Sequence, residues 1–203
     1  MNEAIAIVAG YVIGSMPWGL WLPRALAGVD IRKVGSGNTG ATNVWRNLGF
    51  KLGLGVALLD IGKGAGAAAL GQWLAGDLFG VLAGVGAMVG HYRPLFLGLA
   101  RGGKMVATTG GVGLALAPVP FLCGAAVWIV VFLVTRYASV ASMVGAATLP
   151  LFALFFDASW PIVAFAGAAA VAIVLLHRSN IARLVAGTEN RMDLRRRRRP
   201  AAA

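Results

Sequence analysis

A polar segment from Asp30 to Arg46 combines glycines, small polar side chains and a late arginine, a composition suited to holding phosphate. Glycines allow the backbone to turn tightly and to present its N–H groups to an anion. Hydroxyl and amide side chains supply neutral donors, and a guanidinium can fork onto phosphate oxygens. The candidate ligands in this first polar segment are Gly35, Ser36, Gly37, Asn38, Gly40, Thr42, Asn43 and Arg46.

Two familiar phosphate motifs match the spacing from Gly35 to Gly40 but fail on context. The pattern G-x-G-x-x-G requires a preceding strand, whereas an apolar, membrane-like helix is predicted before this segment. A P-loop requires a lysine where the chain has Ala41. We therefore interpret the segment as a phosphate loop of another kind, with a flexible polar connector as the alternative.

A second polar segment runs from His91 to Thr108 and contains Gly102-Gly103-Lys104 before an apolar run. Backbone donors and one ammonium at the start of a helix form an intrinsic anion site, so Gly102, Gly103, Lys104 and Thr108 are candidate ligands. The alternative is a glycine-rich helix start with an interfacial lysine. His91 by itself is more typical of an interfacial histidine than of a catalytic group.

A third polar segment, from His177 to Asn190, follows the last apolar run. If the helix continues, His177 and Asn180 lie on one side of it and can point together at the other two segments. Glu189 is a candidate substrate ligand or general base, although a structural partner for the nearby arginines is the simpler role.

Asp60 and Lys63 stand in the middle of an apolar run, where ionisable residues are rare and costly. Their i,i+3 spacing allows a direct pair that reduces this cost. A structural tether and a component of the site are equally consistent with the sequence.

The composition of the elements between these segments indicates a membrane protein. The chain has 203 residues, 59% of them hydrophobic and only 12% charged, with a mean hydropathy of +0.79. A soluble domain of this size carries about 25% charged residues. The net charge of +11 does not indicate nucleic acid, because most basic residues lie in short loops or in the terminal run Arg195–Arg199.

Six apolar runs are visible, and most approach the roughly 20 residues of a spanning helix. The fourth, Val106–Val134, is too long for one upright helix and contains Pro118 and Pro120, which favour a turn. Splitting it gives seven spans. The runs are Ala4–Leu22, Leu52–Leu74, Leu78–Leu97, Val106–Val134, Ala138–Phe156 and Trp160–Leu176.

Seven spans place the basic loops and the C-terminus on one face, and Glu3, Asp77 and Asp157 on the other. The positive-inside rule then predicts an external N-terminus, a cytoplasmic C-terminus and a cytoplasmic site in a bacterial inner membrane. We expect one membrane domain over residues 1–192 and a basic, disordered tail over 193–203. Gly76, Gly80 and Gly84, at four-residue spacing, predict close helix packing.

Neither a metal nor a cofactor is predicted, since two distant histidines and the single Cys123 form no ligand cluster. No cleavable signal peptide is expected, because the N-terminus lacks a basic start and a small-residue cleavage site.

The three polar segments, in this order, resemble the bacterial glycerol-3-phosphate acyltransferase family that uses acyl phosphate as donor. The resemblance runs from Ser15-Met-Pro-Trp-Gly19 to Gly187-Thr-Glu189 and is strongest from Asp30 to Arg46. The family usually has Phe-Lys-Gly-Gly-Lys-Gly in the middle motif. Here Met105 replaces a glycine, Arg101 replaces a lysine, and the stretch from His91 to Lys104 is one residue longer.

The resemblance implies transfer of a fatty acyl group from acyl phosphate to the sn-1 hydroxyl of glycerol 3-phosphate, giving lysophosphatidic acid and phosphate. We expect direct attack by the glycerol hydroxyl, with phosphate and oxyanion held by Ser36, Arg46, Lys104, His177 and Asn180. The expected partners are the two substrates, the bilayer and a cytoplasmic enzyme that makes acyl phosphate. A small transporter, suggested by Asp60 and Lys63, and a non-catalytic homologue, suggested by Met105, are the alternatives.

Overall fold

A computed structural model describes residues 2–193, and all regular structure within that range is helical. The predicted all-α class is confirmed there, while the basic run Arg195–Arg199 lies outside the described residues. The α-helices are α1 (Asn2–Gly14), α2 (Trp18–Ala27), α3 (Ala41–Leu48), α4 (Phe50–Ala75), α5 (Asp77–Tyr92), α6 (Val106–Leu116), α7 (Pro118–Thr135), α8 (Ala138–Phe155), α9 (Trp160–Leu176) and α10 (Arg178–Val185). Short 3-10 turns occupy Ile31–Lys33 and Leu95–Leu97.

Four helical stretches are long and apolar enough to cross a bilayer, namely Ala4–Ala27, Phe50–Ala75, Pro118–Thr135 and Ala138–Phe155. Helices α9 and α10 meet at 53° and form a fifth candidate if they count as one broken span. With 16 and 11 residues, α5 and α6 are shorter than the roughly 20 residues of a full crossing. Seven crossings require both of these shorter helices, so that number stays a prediction.

The predicted break in the fourth apolar run is confirmed. Helix α6 ends at Leu116, Ala117 is extended with φ −150° and ψ 77°, and α7 begins at Pro118. Pro118 and Pro120 both lie in the first turn of α7, where a missing N–H removes no helical hydrogen bond.

The first apolar run is also broken, which the sequence analysis did not predict. Helix α1 ends at Gly14 and α2 begins at Trp18, with Pro17 between them. Proline disfavours helical geometry in the residue before it, so the chain leaves the helix at Met16. The break turns the Met16 carbonyl away from a regular helical ladder and makes it available to side chains of other helices.

Helix α4 lies at the centre of the packing and contacts α1, α3, α5 and α6. Its contact with α6 is backbone to backbone. A Cβ added at Gly64 would lie 2.3 Å from the Thr108 carbonyl oxygen, and one added at Gly111 would lie 2.0 Å from the Ile61 carbonyl oxygen. Only glycine permits this approach, which fixes the start of α6 against the middle of α4.

The predicted packing role holds for two of the three spaced glycines. A Cβ at Gly80 would lie 2.6 Å from Leu116, and one at Gly84 would lie 2.5 Å from Val112. Gly76 is different, since it has φ +80° and open space around its Cα. It ends α4 and precedes α5, so its positive φ rather than helix contact explains the glycine.

Candidate functional site

The first polar segment is held in shape from its inside by Asn43. Its amide nitrogen donates to the carbonyls of Val34 (3.0 Å) and Asn38 (2.9 Å), and its amide oxygen accepts from the Ser36 N–H (3.1 Å). Asn43 is buried, so these bonds fix a loop rather than decorate a surface. Its contact with substrate stays a prediction, because its polar atoms already bind this loop.

Two of the three glycines in this segment adopt the left-handed backbone. Gly35 has φ +60° and Gly37 has φ +69°, so the tight turns expected there are present. Gly40 differs, because it precedes α3 with φ −72° and donates its N–H to the Asn38 side chain (2.7 Å).

Asn38 connects the first polar segment to the second. Its amide nitrogen donates to the Gly102 carbonyl at 3.3 Å, although the two residues are 64 positions apart. The N–H groups of Gly102 and Gly103 donate to the carbonyls of Tyr92 (2.9 Å) and His91 (3.2 Å). Both glycine donors are thus occupied, and Lys104 is the half-buried cationic side chain of this segment, whereas Arg93 and Arg101 are exposed.

Lys104 connects the second polar segment to the third. Its Nζ donates to the Asn180 amide oxygen. The Asn180 nitrogen in turn donates to Glu189 (2.6 Å), which also accepts from Ser139 (2.7 Å) and Arg183 (2.7 Å). All three polar segments therefore meet at one place, as the sequence analysis expected.

Glu189 has the contacts of a structural anion. Burial alone would raise the pKa of its carboxyl group, but hydrogen bonds from Asn180, Ser139 and Arg183 outweigh burial and lower that pKa. A charged carboxylate that accepts three protein donors is a poor general base. Its hydrogen bond from Arg183 fits the expected role of Glu189 as a structural partner for an arginine. Direct contact of Glu189 with substrate stays a prediction.

Arg46 keeps unused hydrogen-bonding capacity beside this cluster. Its Nη2 donates to the Asn190 carbonyl at 3.4 Å, and its buried Nε has no partner among the described residues. Burial lowers the pKa of Arg46, and the nearby Arg183 adds to that effect while Glu189 opposes it. A partly desolvated guanidinium with a free edge is suited to a phosphate group.

Lys104 lies in a strongly cationic environment. Burial, together with the charges of Arg183, Arg101 and Arg46, lowers its pKa to about 8, while Glu189 opposes the shift. These cations repel one another, and a bound anion reduces that repulsion. The cluster is therefore suited to binding phosphate.

His177 presents one defined nitrogen towards its surroundings. Its Nδ1 lies 2.8 Å from the Ile173 carbonyl oxygen, so Nδ1 carries the proton and Nε2 of the neutral ring is an acceptor. His177 and Asn180 are both buried at the bend between α9 and α10.

The remaining candidates differ in accessibility. Ser36 is exposed, Thr42 is half-buried and Thr108 is fully buried. No hydrogen bond joins Ser36 to His177 within residues 2–193. The roles of all these residues at a substrate stay predictions.

The structure adds Met192, which the sequence analysis missed. Met192 is 3% exposed and packs with Phe132, Ala138 and Ala141, next to Trp45. Its N–H donates to the Arg136 carbonyl (2.8 Å). This anchor fixes the segment that carries Glu189 and Asn190. An isolated methionine after a polar stretch gives no periodic signal, so the sequence alone could not have revealed it.

Met192→Ala should lower kcat/KM for the expected acyl transfer about threefold to tenfold. The substitution loosens the segment that carries the Asn190 carbonyl, which accepts a hydrogen bond from Arg46. Met192→Leu, which conserves volume, should stay within about twofold of the original protein. Steady-state kinetics on both purified variants measures this, and equal loss in the two would contradict an anchoring role.

Met105 occupies a backbone position that favours glycine. Its φ is +67°, and its side chain is 8% exposed within the main apolar cluster. The close backbone geometry that a glycine would supply is therefore retained, and the buried side chain offsets the strain. The exchange of glycine for methionine at this position therefore affects the stability of the loop more than its backbone conformation.

Met105→Gly should leave kcat within about threefold, since the backbone conformation is already that of glycine. It should lower the unfolding free energy by about 1–3 kcal/mol. Loss of the buried Met105 side chain costs about 2–5 kcal/mol, which exceeds the about 1–2 kcal/mol gained by relieving the strain of the left-handed backbone. Thermal unfolding in detergent, paired with kinetics, measures both. A variant that is inactive yet stable would show that methionine has a direct role.

The chain is similar to proteins of one family throughout its length. The family model "Glycerol-3-phosphate acyltransferase" matches residues 4–187. A glycerol-3-phosphate acyltransferase of Anaeromyxobacter sp. is 46% identical over 93% of this chain and 95% of that protein. That of Thermosynechococcus vestitus is 44% identical over 90% and 91% of the two chains.

Two solved structures share the fold. PlsY (YgiH), an integral membrane glycerol 3-phosphate acyltransferase, superposes in its glycerol 3-phosphate form with a TM-score of 0.89 and 36% identity. Its lysophosphatidic acid form superposes with a TM-score of 0.88 and 35% identity. Each comparison covers 95% of this chain and 96% of the other. This chain is therefore an integral membrane protein of the glycerol-3-phosphate acyltransferase family.

Proposed function

We propose that this protein transfers a fatty acyl group from acyl phosphate to the sn-1 hydroxyl of glycerol 3-phosphate. The observation that carries the proposal is the junction of the three polar segments, where Arg46, Lys104 and Asn180 lie together. The cationic groups suit two phosphate-bearing substrates, and the apolar helices around them suit an acyl chain. The glycerol 3-phosphate and lysophosphatidic acid forms of the similar PlsY structures support this choice of acceptor and product.

In the proposed step, the sn-1 hydroxyl oxygen attacks the carbonyl carbon of acyl phosphate. A new carbon–oxygen ester bond forms, and the bond between that carbon and the phosphate oxygen breaks with its electron pair. Inorganic phosphate leaves, and a phosphate oxygen takes the hydroxyl proton. Acyl phosphate is already activated, so the protein has to position the substrates and stabilise developing charge.

The proposed roles of the side chains follow from their chemistry. Arg46 and Lys104 bind phosphate as cations, and Asn180 holds Lys104 in place while it faces the site. Ser36 donates to or accepts from the substrates' oxygens, and Nε2 of the neutral His177 ring accepts a hydrogen bond from a substrate hydroxyl group. Direct attack is favoured over a serine nucleophile, because Ser36 has no hydrogen-bonded base within the described part of the chain.

The backbone and side chains of Gly35, Gly37, Asn38, Gly40, Thr42 and Asn43 are proposed to shape the acceptor site from the first polar segment. Gly102, Gly103 and Thr108 are proposed to do the same from the second. The bilayer supplies the acyl substrate and takes up the product, and a cytoplasmic enzyme that produces acyl phosphate is a proposed partner.

We propose seven crossings, with the N-terminus outside and the site facing the cytoplasm of a bacterial inner membrane. Single cysteines at Lys33 and Asp157, introduced into a Cys123→Ala background, test the orientation. A membrane-impermeant maleimide should label Lys33→Cys only in inside-out vesicles and Asp157→Cys only in right-side-out vesicles. Labelling of both from the same side contradicts the proposed topology.

Product analysis tests the reaction. Detergent-purified protein should convert glycerol 3-phosphate to 1-acyl lysophosphatidic acid with acyl phosphate as donor. It should not do so with acyl-CoA or with the acylated form of acyl carrier protein. Mass spectrometry identifies the product and NMR its acylated position. Activity with a thioester donor alone would contradict the proposed donor, and transport of unchanged glycerol 3-phosphate into liposomes would favour the transporter.

A further inference from the structure

Asp60, Lys63 and His91 form a buried ionisable cluster between α4 and α5. Their side chains are 2%, 3% and 7% exposed. Lys63 Nζ lies 2.7 Å from Asp60 Oδ1, and His91 Nδ1 lies 3.4 Å from the same oxygen. The proposed acyl transfer assigns no chemical step to any of the three.

The Lys63 end of this cluster reaches towards the first polar segment. Lys63 Nζ donates to the Met16 carbonyl at 2.9 Å, at the break between α1 and α2. Helix α2 begins directly after this break and lies against the first polar segment. A Cβ added at Gly19 would lie 1.6 Å from the Thr39 carbonyl oxygen. The position of Lys63 therefore fixes α2, and α2 fixes the loop.

The His91 end supports the second polar segment. The His91 carbonyl accepts the Gly103 N–H at 3.2 Å, and a Cβ added at Gly103 would lie 1.9 Å from His91 Nε2. The glycine backbone thus rests directly on the imidazole ring. Lys104 is the next residue. The orientation of His91 therefore affects the backbone position from which the Lys104 side chain extends.

We propose that Asp60, Lys63 and His91 are positioning residues that set the distance between the two phosphate-holding segments. This inference rests on the proposed function. One carboxylate orients a lysine that fixes the first segment and a histidine that supports the second. A misplacement of about 1 Å at a reacting centre can cost about 100-fold in rate, so such a link has a large effect on function.

Stability alone is a weak explanation for this cluster. A buried ion pair exchanged for apolar side chains of similar volume often leaves a protein equally stable or more stable, because burial of charge is costly. The hydrogen bond from Lys63 to the Met16 carbonyl and the ion pairs with Asp60 depend on direction, which apolar packing cannot reproduce. Fixed geometry is what the charged groups add.

The double variant Asp60→Leu/Lys63→Met tests the inference, because it leaves no unpaired charge. It should fold with a thermal midpoint close to that of the original protein, yet show a KM for glycerol 3-phosphate about tenfold higher. His91→Ala should raise KM by a similar factor. Both changes break the link that passes through Asp60, so the triple variant should show less than the product of the two effects.

Gln72→Met is the matched control, since Gln72 makes an interhelical hydrogen bond to Asp77 (2.9 Å) at the other end of α4. It should leave KM unchanged. An unchanged KM in the double variant would show that the cluster only holds the helices together and would contradict the positioning role. Strictly multiplicative effects in the triple variant would equally contradict a shared pathway.

A second pair of variants serves if the double variant does not fold. His91→Asn can keep an N–H donor near Asp60, whereas His91→Leu cannot. The asparagine variant should have the lower KM by about threefold or more, and equal KM values would overturn the proposal. Equilibrium binding of glycerol 3-phosphate to the unaltered protein separates the two hypotheses, because absence of both binding and turnover there contradicts the acyltransferase function itself.

Discussion

Arg46→Ala should lower kcat/KM for glycerol 3-phosphate by about 100-fold. A charge-assisted hydrogen bond contributes about 1.5–3 kcal/mol, which corresponds to about 10- to 150-fold. The upper part of that range is expected because Arg46 is partly buried and its Nε has no partner among residues 2–193. Removal of Arg46 also leaves Lys104 as the main cation facing the phosphate.

Arg46→Lys separates charge from geometry. Lysine restores the positive charge but not the planar fork, so it should recover only part of the lost activity. Lys51→Ala is the control, since Lys51 is an exposed cation close to Arg46 in the chain. Steady-state kinetics at fixed ionic strength measures all three. Full activity in Arg46→Ala would remove Arg46 from the proposed site.

Lys104→Met should lower kcat/KM at least tenfold near neutral pH and should change its pH dependence. In the unaltered protein the Lys104 pKa is about 8. The cation that binds phosphate is therefore complete well below pH 8 and is lost as the pH rises through that value. On the alkaline side, kcat/KM should fall towards a tenfold decrease per pH unit.

The Lys104→Met variant should lack this alkaline fall. On the acid side both proteins should lose activity below about pH 6, where the phosphate dianion of the substrate takes up a proton and becomes a monoanion. Arg101→Ala is the comparison, since Arg101 is exposed in the same segment. It should keep an alkaline fall but move it to a higher pH, because the charge of Arg101 lowers the Lys104 pKa. The profile of kcat/KM reports the free protein. An alkaline limb that persists in Lys104→Met would assign it to another group.

Local features were predictable where one residue type leaves little choice. Pro118 and Pro120 fixed the start of α7, and the positive φ at Gly35 and Gly37 agreed with the turns expected of glycine. Pro17 carried the same information about α1, but the surrounding apolar run hid the break. Continuous hydrophobicity signals membrane burial without signalling where a helix is interrupted.

Contacts between distant segments were predictable only as an expectation of proximity. Charge placed the three polar segments on one face, but nothing in the sequence paired Asn38 with Gly102 or Lys104 with Asn180. These partners depend on the angles at which the helices cross. The Gly102-Gly103 pair shows the difficulty. Glycine is needed both where a backbone binds an anion and where it packs closely against a buried ring, and here Gly103 packs against the His91 ring.

The Asp60–Lys63 pair illustrates the same point within a membrane segment. The i,i+3 spacing indicated a direct ion pair, and the structure contains one, with 2.7 Å between Lys63 Nζ and Asp60 Oδ1. The third partner, His91, comes from another helix and could not be inferred from spacing. Met192 is comparable, since its burial depends on an apolar cluster formed with residues of α7 and α8.

Release of inorganic phosphate from acyl phosphate, with and without glycerol 3-phosphate, tests the central proposal most directly. Detergent-purified protein should release phosphate only when the acceptor is present, with one phosphate for each lysophosphatidic acid formed. Release at the same rate without acceptor would indicate hydrolysis. No release in the presence of both substrates, by protein that binds glycerol 3-phosphate, would identify a non-catalytic member of the family and contradict the proposed acyl transfer.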